Sequence, residues 1–186
     1  MTLEEGSTVS AVALAVGSTL LGQGIRAVLT GGACVSIYTR GAYHSKDVDF
    51  VLPPSVRREE LDNAMATAGF ARQGDRYEHP RTPLYVEFPA GPLAIGQDVA
   101  VRAVEIRRSG RRVLALSATD CCRDRLAAFY HWNDRQSLRS AVLVALENRV
   151  RLAMIREWSG KEGASSRFEE FRTELASARK ERRARK

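Results

Sequence analysis

Histidine and cysteine are scarce in this chain, with three of each in 186 residues. His44, His79 and His131 stand far apart, without the spacing that would hold zinc between them. Cys121 and Cys122 are adjacent and Cys34 is remote, so the cysteines form neither a disulfide framework nor a spaced metal site. Long apolar runs are also missing: no stretch reaches the roughly 18–20 residues needed to cross a bilayer. The segment "TVSAVALAVGSTLLG" follows Glu4 and Glu5, where a leader would be basic, and its alanines and glycines suit a packed helix. These absences predict a reduced, cytoplasmic protein with no membrane partner.

The composition is 44% hydrophobic and 27% charged, ordinary for a domain with a proper core. The length fits one domain, or one with a helical extension. Net charge is +7 with a pI near 9.8. The excess sits in the tail "ARKERRARK" and in "VRAVEIRRSGRRV". A basic balance favours polyanionic partners such as nucleic acid or nucleotides. A solvated basic terminus is the plainer alternative.

Pattern along the chain predicts a helix over 8–21, a short strand in "IRAVLT" ending at Gly31-Gly32, and a helix in "ACVSIYTRG". "DVDFVLP" reads as a second strand stopped by Pro53 and Pro54. Ser55 is the expected cap of the helix "SVRREELDNAMATAGF", which Gly69 closes. "QGDRYEHPRTP" reads as a loop with a ragged strand at Tyr77 and Glu78, and "LYVEF" as a strand. A hairpin is expected around Ser109-Gly110. Helices follow to the end, the first capped by Thr119 or Asp120. Strands and helices first, then helices alone, predict an α/β (α+β) fold. Its core would span 1–116, with a helical C-terminal region and basic tail over 117–186.

Within "SKDVDFVLP" the period of two puts Asp47 and Asp49 on one face and Val48, Phe50 and Leu52 on the other. Two carboxylates so close repel unless a cation lies between them, and Mg²⁺ takes one or two carboxylates plus substrate phosphates. The alternative is a solvated strand end. Gly31-Gly32 follows a strand and opens a helix, which makes a phosphate seat from bare backbone and free N–H groups, or simply a tight turn. Glu87, between Val86 and Phe88, is the candidate third carboxylate of a two-metal cage, or else an edge residue facing water.

"LTGGACVSIYTRGAYHSKDVDFVLP" resembles the opening motif of the nucleotidyltransferase superfamily shared with DNA polymerase beta. The likeness is nearest to small prokaryotic members such as the AbiEii-type toxin-like nucleotidyltransferases, through Tyr38 to Gly41 and Ser45 to Phe50. It covers 29–53 closely and 113–141 loosely. The resemblance implies a short mixed β-sheet core and Mg²⁺ (or Mn²⁺) held by Asp47, Asp49 and Glu87 as catalytic carboxylates. It implies triphosphate on Gly31 and Gly32, with Arg125 (or Arg123) and Asp134 contributed by the helical region. NTP, ATP among the candidates, would be the substrate. A hydroxyl on RNA, tRNA or protein would accept the nucleoside monophosphate, and a toxin–antitoxin setting is compatible. The chain departs from the pattern in Glu87 for aspartate, Gly32 for serine and arginine for lysine. The rival reading is an inactive member of the fold that binds nucleic acid through its basic hairpin and tail.

Other residues carry weaker signals. Lys46 is expected on the outer face. Cys121 and Cys122 are expected to pack, one of them partly exposed. Phe129, Tyr130 and Trp132 are too close in sequence to share a helix face. Arg107, Arg108, Arg111 and Arg112 would grip a phosphate backbone or form a solvated tip.

Overall fold

The computed structural model describes residues 3–185 and divides into two compact units. The first comprises Met1–Leu93 with Val101–Leu116, the second Ala94–Ala100 with Ser117–Lys186.

The first unit holds a seven-stranded mixed sheet with three helices. Its strands are β1 (Val28–Leu29), β2 (Asp47–Val51), β3 (Ala71–Gln73), β4 (Arg76–His79), β5 (Thr82–Glu87), β6 (Val104–Arg108) and β7 (Arg111–Ala115). Their spatial order is β3-β4-β5-β2-β1-β7-β6. β1 is antiparallel to β2 and parallel to β7, and β2 is parallel to β5.

Helix α1 (Val9–Gly22) begins with Thr8 accepting a hydrogen bond from the Ala11 N–H. It packs on β7 because Gly17 brings no side chain to the contact, where a Cβ would overlap Val113. Ser18 fixes this pairing by accepting from the Arg112 N–H at 2.7 Å and donating to its carbonyl at 3.0 Å. Val12, Val16, Leu29, Val35, Ile37, Val48, Phe50 and Val86 are fully buried at the centre. Helix α2 (Gly31–Tyr38) leaves β1 directly, and α3 (Arg58–Thr67) follows β2.

Two expectations for this unit change. The cap of α3 is Arg57, not Ser55: the Arg57 N–H donates to Glu60 Oε2 at 3.2 Å, and the guanidinium grips the same carboxylate. The stretch read as a loop with a ragged strand at Tyr77 and Glu78 does hold those two residues in a strand, β4, but that strand runs over Arg76–His79 and forms an antiparallel hairpin with β3. Only Tyr77 of that hairpin is buried, at 2% exposure, so its sequence shows no apolar alternation.

The second unit contains α4 (Ala118–Trp132), α5 (Arg135–Glu147), α6 (Leu152–Lys161) and α7 (Ser165–Ala184). Ser117, not Thr119 or Asp120, caps α4 and accepts from the Asp120 N–H. Ala94–Ala100 joins these helices through Trp158, whose indole N–H donates to the Ile95 carbonyl at 3.3 Å. Arg123, 2% exposed, lies between Asp98 at 2.5 Å and Asp120 at 2.8 Å and over the Trp158 ring. Cys121 and Cys122 are both fully buried, where one was expected to be partly exposed. Phe129 and Tyr130 enter the core, while Trp132 is 77% exposed. No described helix is long and apolar enough to cross a membrane.

Candidate functional site

β2 alternates as its sequence requires: Val48 and Phe50 are fully buried on one face, and Asp47 and Asp49 are half-buried on the other. The parallel pairing with β5 sets Asp47 opposite Tyr85 and Asp49 opposite Glu87. Register therefore brings three carboxylates to one face. Asp47, Asp49 and Glu87 each offer an oxygen within 4.8 Å of the others. They are the one such group of potential metal ligands among the described residues, and no histidine joins them.

Beside them β1 turns into α2. Gly31 has φ of +61°, a conformation that costs other residues roughly 1–2 kcal/mol. A Cβ there would overlap Oδ2 of Asp49 and lie 3.2 Å from its Cγ. The glycine thus meets two demands at once, a left-handed backbone and close approach to the carboxylate. The Thr30 N–H donates to the Asp49 carbonyl at 3.0 Å, tying the helix start to β2. Gly32 meets a different demand: a Cβ there would sit 2.5 Å from Ser45 Oγ and 3.1 Å from the Tyr43 ring. Ser45 uses that space to donate to Asp47 Oδ1 at 2.5 Å, which fixes the orientation of the carboxylate. Three half-buried carboxylates, a bare helix start and a hydroxyl aimed at one of them suit a hard divalent cation, whose preferred donors are oxygens.

Two residues that the sequence reading passed over share this face. Tyr85 lies opposite Asp47, and its phenol is pushed up first by burial and then by the charges of Asp47, Glu87 and Asp49. Arg76 on β4 lies in register with Glu87, with its guanidinium 4.7 Å from the Tyr85 ring centre. Arg76 also pairs with Glu78 at 2.5 Å. Both sit on strands whose pairing decides their neighbours, so no local pattern announces them.

The candidates Arg125 and Asp134 lie in the second unit. Arg125 binds the Asp124 carboxylate at 2.6 and 3.0 Å. Asp134 caps α5, accepting from the N–H groups of Gln136 and Ser137 and from the Ser137 hydroxyl at 2.7 Å. The Ser137 hydroxyl holds the Asp134 carboxyl below the usual range. Lys46 is exposed.

This fold resembles solved structures. An antigenic nucleotidyltransferase-like protein from Paracoccidioides brasiliensis matches with a TM-score of 0.58 and 15% identity, over 76% of this chain and 77% of that one. The fold is nucleotidyltransferase-like. The antibiotic-resistance factor ANT(2'')-Ia in solution matches with a TM-score of 0.51 and 15% identity, over 94% of this chain and 97% of that one. Its crystal complex with adenylyl-2''-tobramycin matches with a TM-score of 0.51 and 14% identity, over 89% and 97%. No family model and no curated protein matches the sequence. In this nucleotidyltransferase-like frame the carboxylate face and the Gly31-Gly32 helix start adjoin one another in one unit.

Proposed function

We propose that the chain is a metal-dependent nucleotidyltransferase, moving a nucleoside monophosphate from an NTP to a hydroxyl acceptor with release of pyrophosphate. The observation that carries this reading is the meeting of Asp47, Asp49 and Glu87 within 4.8 Å beside a helix start with no side chain.

Asp47, Asp49 and Glu87 would hold Mg²⁺ or Mn²⁺, which when bound neutralises triphosphate charge and activates the attacking hydroxyl. The other tasks fall to the chain itself. The N–H groups at the start of α2 face the phosphates, with the positive end of the helix dipole behind them. Gly31 keeps the space between that helix and Asp49 open. Ser45 holds Asp47 in one orientation. Arg125 and Asp134 are proposed nucleotide contacts from the helical C-terminal region that follows residue 116. In the reaction the acceptor oxygen bonds to the α-phosphorus as the bond from that phosphorus to the bridging oxygen breaks.

The acceptor is a hydroxyl on RNA, tRNA or protein, the reading that goes with an AbiEii-type, toxin–antitoxin role. A polyhydroxylated amine is the second reading, favoured by the solved ANT(2'')-Ia complex with an adenylylated aminoglycoside. Calorimetry with ATP, GTP, CTP and UTP, in Mg²⁺ and in chelator, tests the site. Binding that needs both Mg²⁺ and the pair Asp47 and Asp49 is the expected result. A folded chain that binds no NTP would overturn the proposal.

A further inference from the structure

Basic side chains crowd one end of the helical unit, and two segments distant in sequence supply them. α7 carries Arg179, Lys180, Arg183 and Arg185, all exposed. The turn between α5 and α6 adds Arg149 and Arg151, also exposed. Arg182 joins the two segments: its guanidinium donates to the Leu146 carbonyl at 3.1 Å and to Glu147 at 2.8 Å. The basic end of α7 therefore stands beside the last turn of α5, which leads directly into Arg149. Because α7 runs intact to Ala184, the charge run in the tail is a helical surface tied to its neighbour.

The neighbouring acids do not answer these cations. Glu147 is taken up by Arg182. Glu181 stands midway between Arg179 and Arg183 in sequence, which on a helix is the opposite side. Arg179 and Arg183 share a face one turn apart, where like charges repel. Among the described residues none of the six exposed cations has an ion-pair partner. Helix electrostatics do not account for them either. Cations complement the C-terminal end of a helix only over its last turn, which leaves Arg179 and Lys180 out. Arg151 has the wrong sign outright: it is the N-cap residue of α6, where the dipole is positive, with no side-chain cap bond and no acid in the first turn. An anion from outside relieves both the repulsion and the misplaced charge.

We infer that this end of the helical unit binds paired RNA through its phosphate backbone. The choice of RNA rests on the nucleotidyl-transfer reading and selects among that reading's acceptors by charge. A polyphosphate chain reaches both segments at once and releases counterions as its phosphates are neutralised. A polyhydroxylated amine is itself cationic and would be repelled. A membrane surface calls for an apolar face beside the cations, whereas Phe168, Phe171 and Leu175 of α7 are buried in the core. Single-stranded RNA calls for aromatic rings on which bases stack, and neither 148–151 nor 176–185 contains one.

The test is fluorescence anisotropy of a labelled RNA hairpin titrated with the full chain across a salt series, in chelator so that no transfer occurs. Wild type is compared with Arg179→Gln/Arg183→Gln and with Arg149→Gln/Arg151→Gln, whose side chains are exposed. Each phosphate contact on a duplex adds about 0.9 to the slope of log K against log salt, so each variant should be shallower by about 1.8. An unchanged slope in either variant overturns the inference. So does duplex DNA, single-stranded RNA or polyglutamate binding more tightly than the hairpin. Calorimetry with NTP and Mg²⁺ on the same proteins reads the transfer site separately. NTP binding should match wild type in both variants, and its loss together with RNA binding would place these arginines at the nucleotide site and overturn the inference. A wild type that binds the hairpin in this way but binds no NTP would sink nucleotidyl transfer and leave RNA binding standing.

Discussion

Gly31→Ala separates two reasons for a glycine, and a second variant measures each. Gly31 and Gly74 both have positive φ, +61° and +67°. A Cβ at Gly74 meets nothing within 4 Å, whereas one at Gly31 overlaps the Asp49 carboxylate. Gly74→Ala therefore reports the backbone penalty alone, about 1–2 kcal/mol. For a chain of this length that is a fall in Tm of roughly 2–8 °C. Gly31→Ala adds displacement of Asp49 from its rotamer, a further ~0.5–1.5 kcal/mol. The stability difference between the variants is thus modest. The difference in metal binding is not: a shifted Asp49 should weaken Mn²⁺ by about tenfold, equivalent to about 1.4 kcal/mol. Gly74→Ala should bind Mn²⁺ like wild type. Thermal melts give the first comparison and Mn²⁺ titration by electron paramagnetic resonance the second. Equal Mn²⁺ affinity in the two alanine variants would refute the role given to the bare α-carbon of Gly31.

Three further outcomes are expected. In chelator, Glu87→Gln should melt at or slightly above wild type, since removing one of three clustered carboxylates relieves repulsion worth about 1 kcal/mol or less at this exposure; a clearly lower melting temperature argues against repulsion within the cluster. Asp98→Asn leaves buried Arg123 with Asp120 as its remaining carboxylate partner and should cost ~1–3 kcal/mol at pH 7 by urea denaturation. The Arg123 guanidinium holds the Asp98 carboxyl below its ordinary value, so its stabilisation is present above the unfolded pKa, about 3.9, and is lost as pH falls further. The gap between wild type and Asp98→Asn should accordingly shrink by pH 3, and a gap of constant size would sink the assignment. Finally, burial pushes the Cys122 thiol up, and all three cysteines are buried. A thiol reagent at pH 8 should label the native chain slowly and all three positions after denaturation, whereas rapid native labelling contradicts this packing.

Local chemistry made much of the fold readable. The alternation of "DVDFV" depends on a period of two within five residues, so it survives in any context that buries one face. The turn at Gly110 and the helix start at Gly31 are likewise set by the backbone freedom of glycine. Of the β3–β4 hairpin only a ragged strand at Tyr77 and Glu78 was readable, because the hairpin buries one side chain, Tyr77, and apart from Ala71 its strands are otherwise polar. Helix caps moved because competing candidates lie close together and the surrounding packing selects among them: Arg57 near Ser55, and Ser117 near Thr119 and Asp120. The packing of Ala94–Ala100 with the helices through Trp158 and Arg123 was not readable either. Those partners lie 25 to 63 residues away in sequence.

By itself the sequence determined which residues could share a face, where glycine frees the backbone, and the sign of the charge at the hairpin and tail. Each depends on a residue and its near neighbours. Tertiary structure alone decided that Glu87 stands opposite Asp49, that Arg76 and Tyr85 border the carboxylates, and that Ser45 fills the space left by Gly32. Those outcomes depend on strand order and register, which are fixed when the buried faces of distant segments, Val48 with Val86 and Gly17 with Val113, come out of water together.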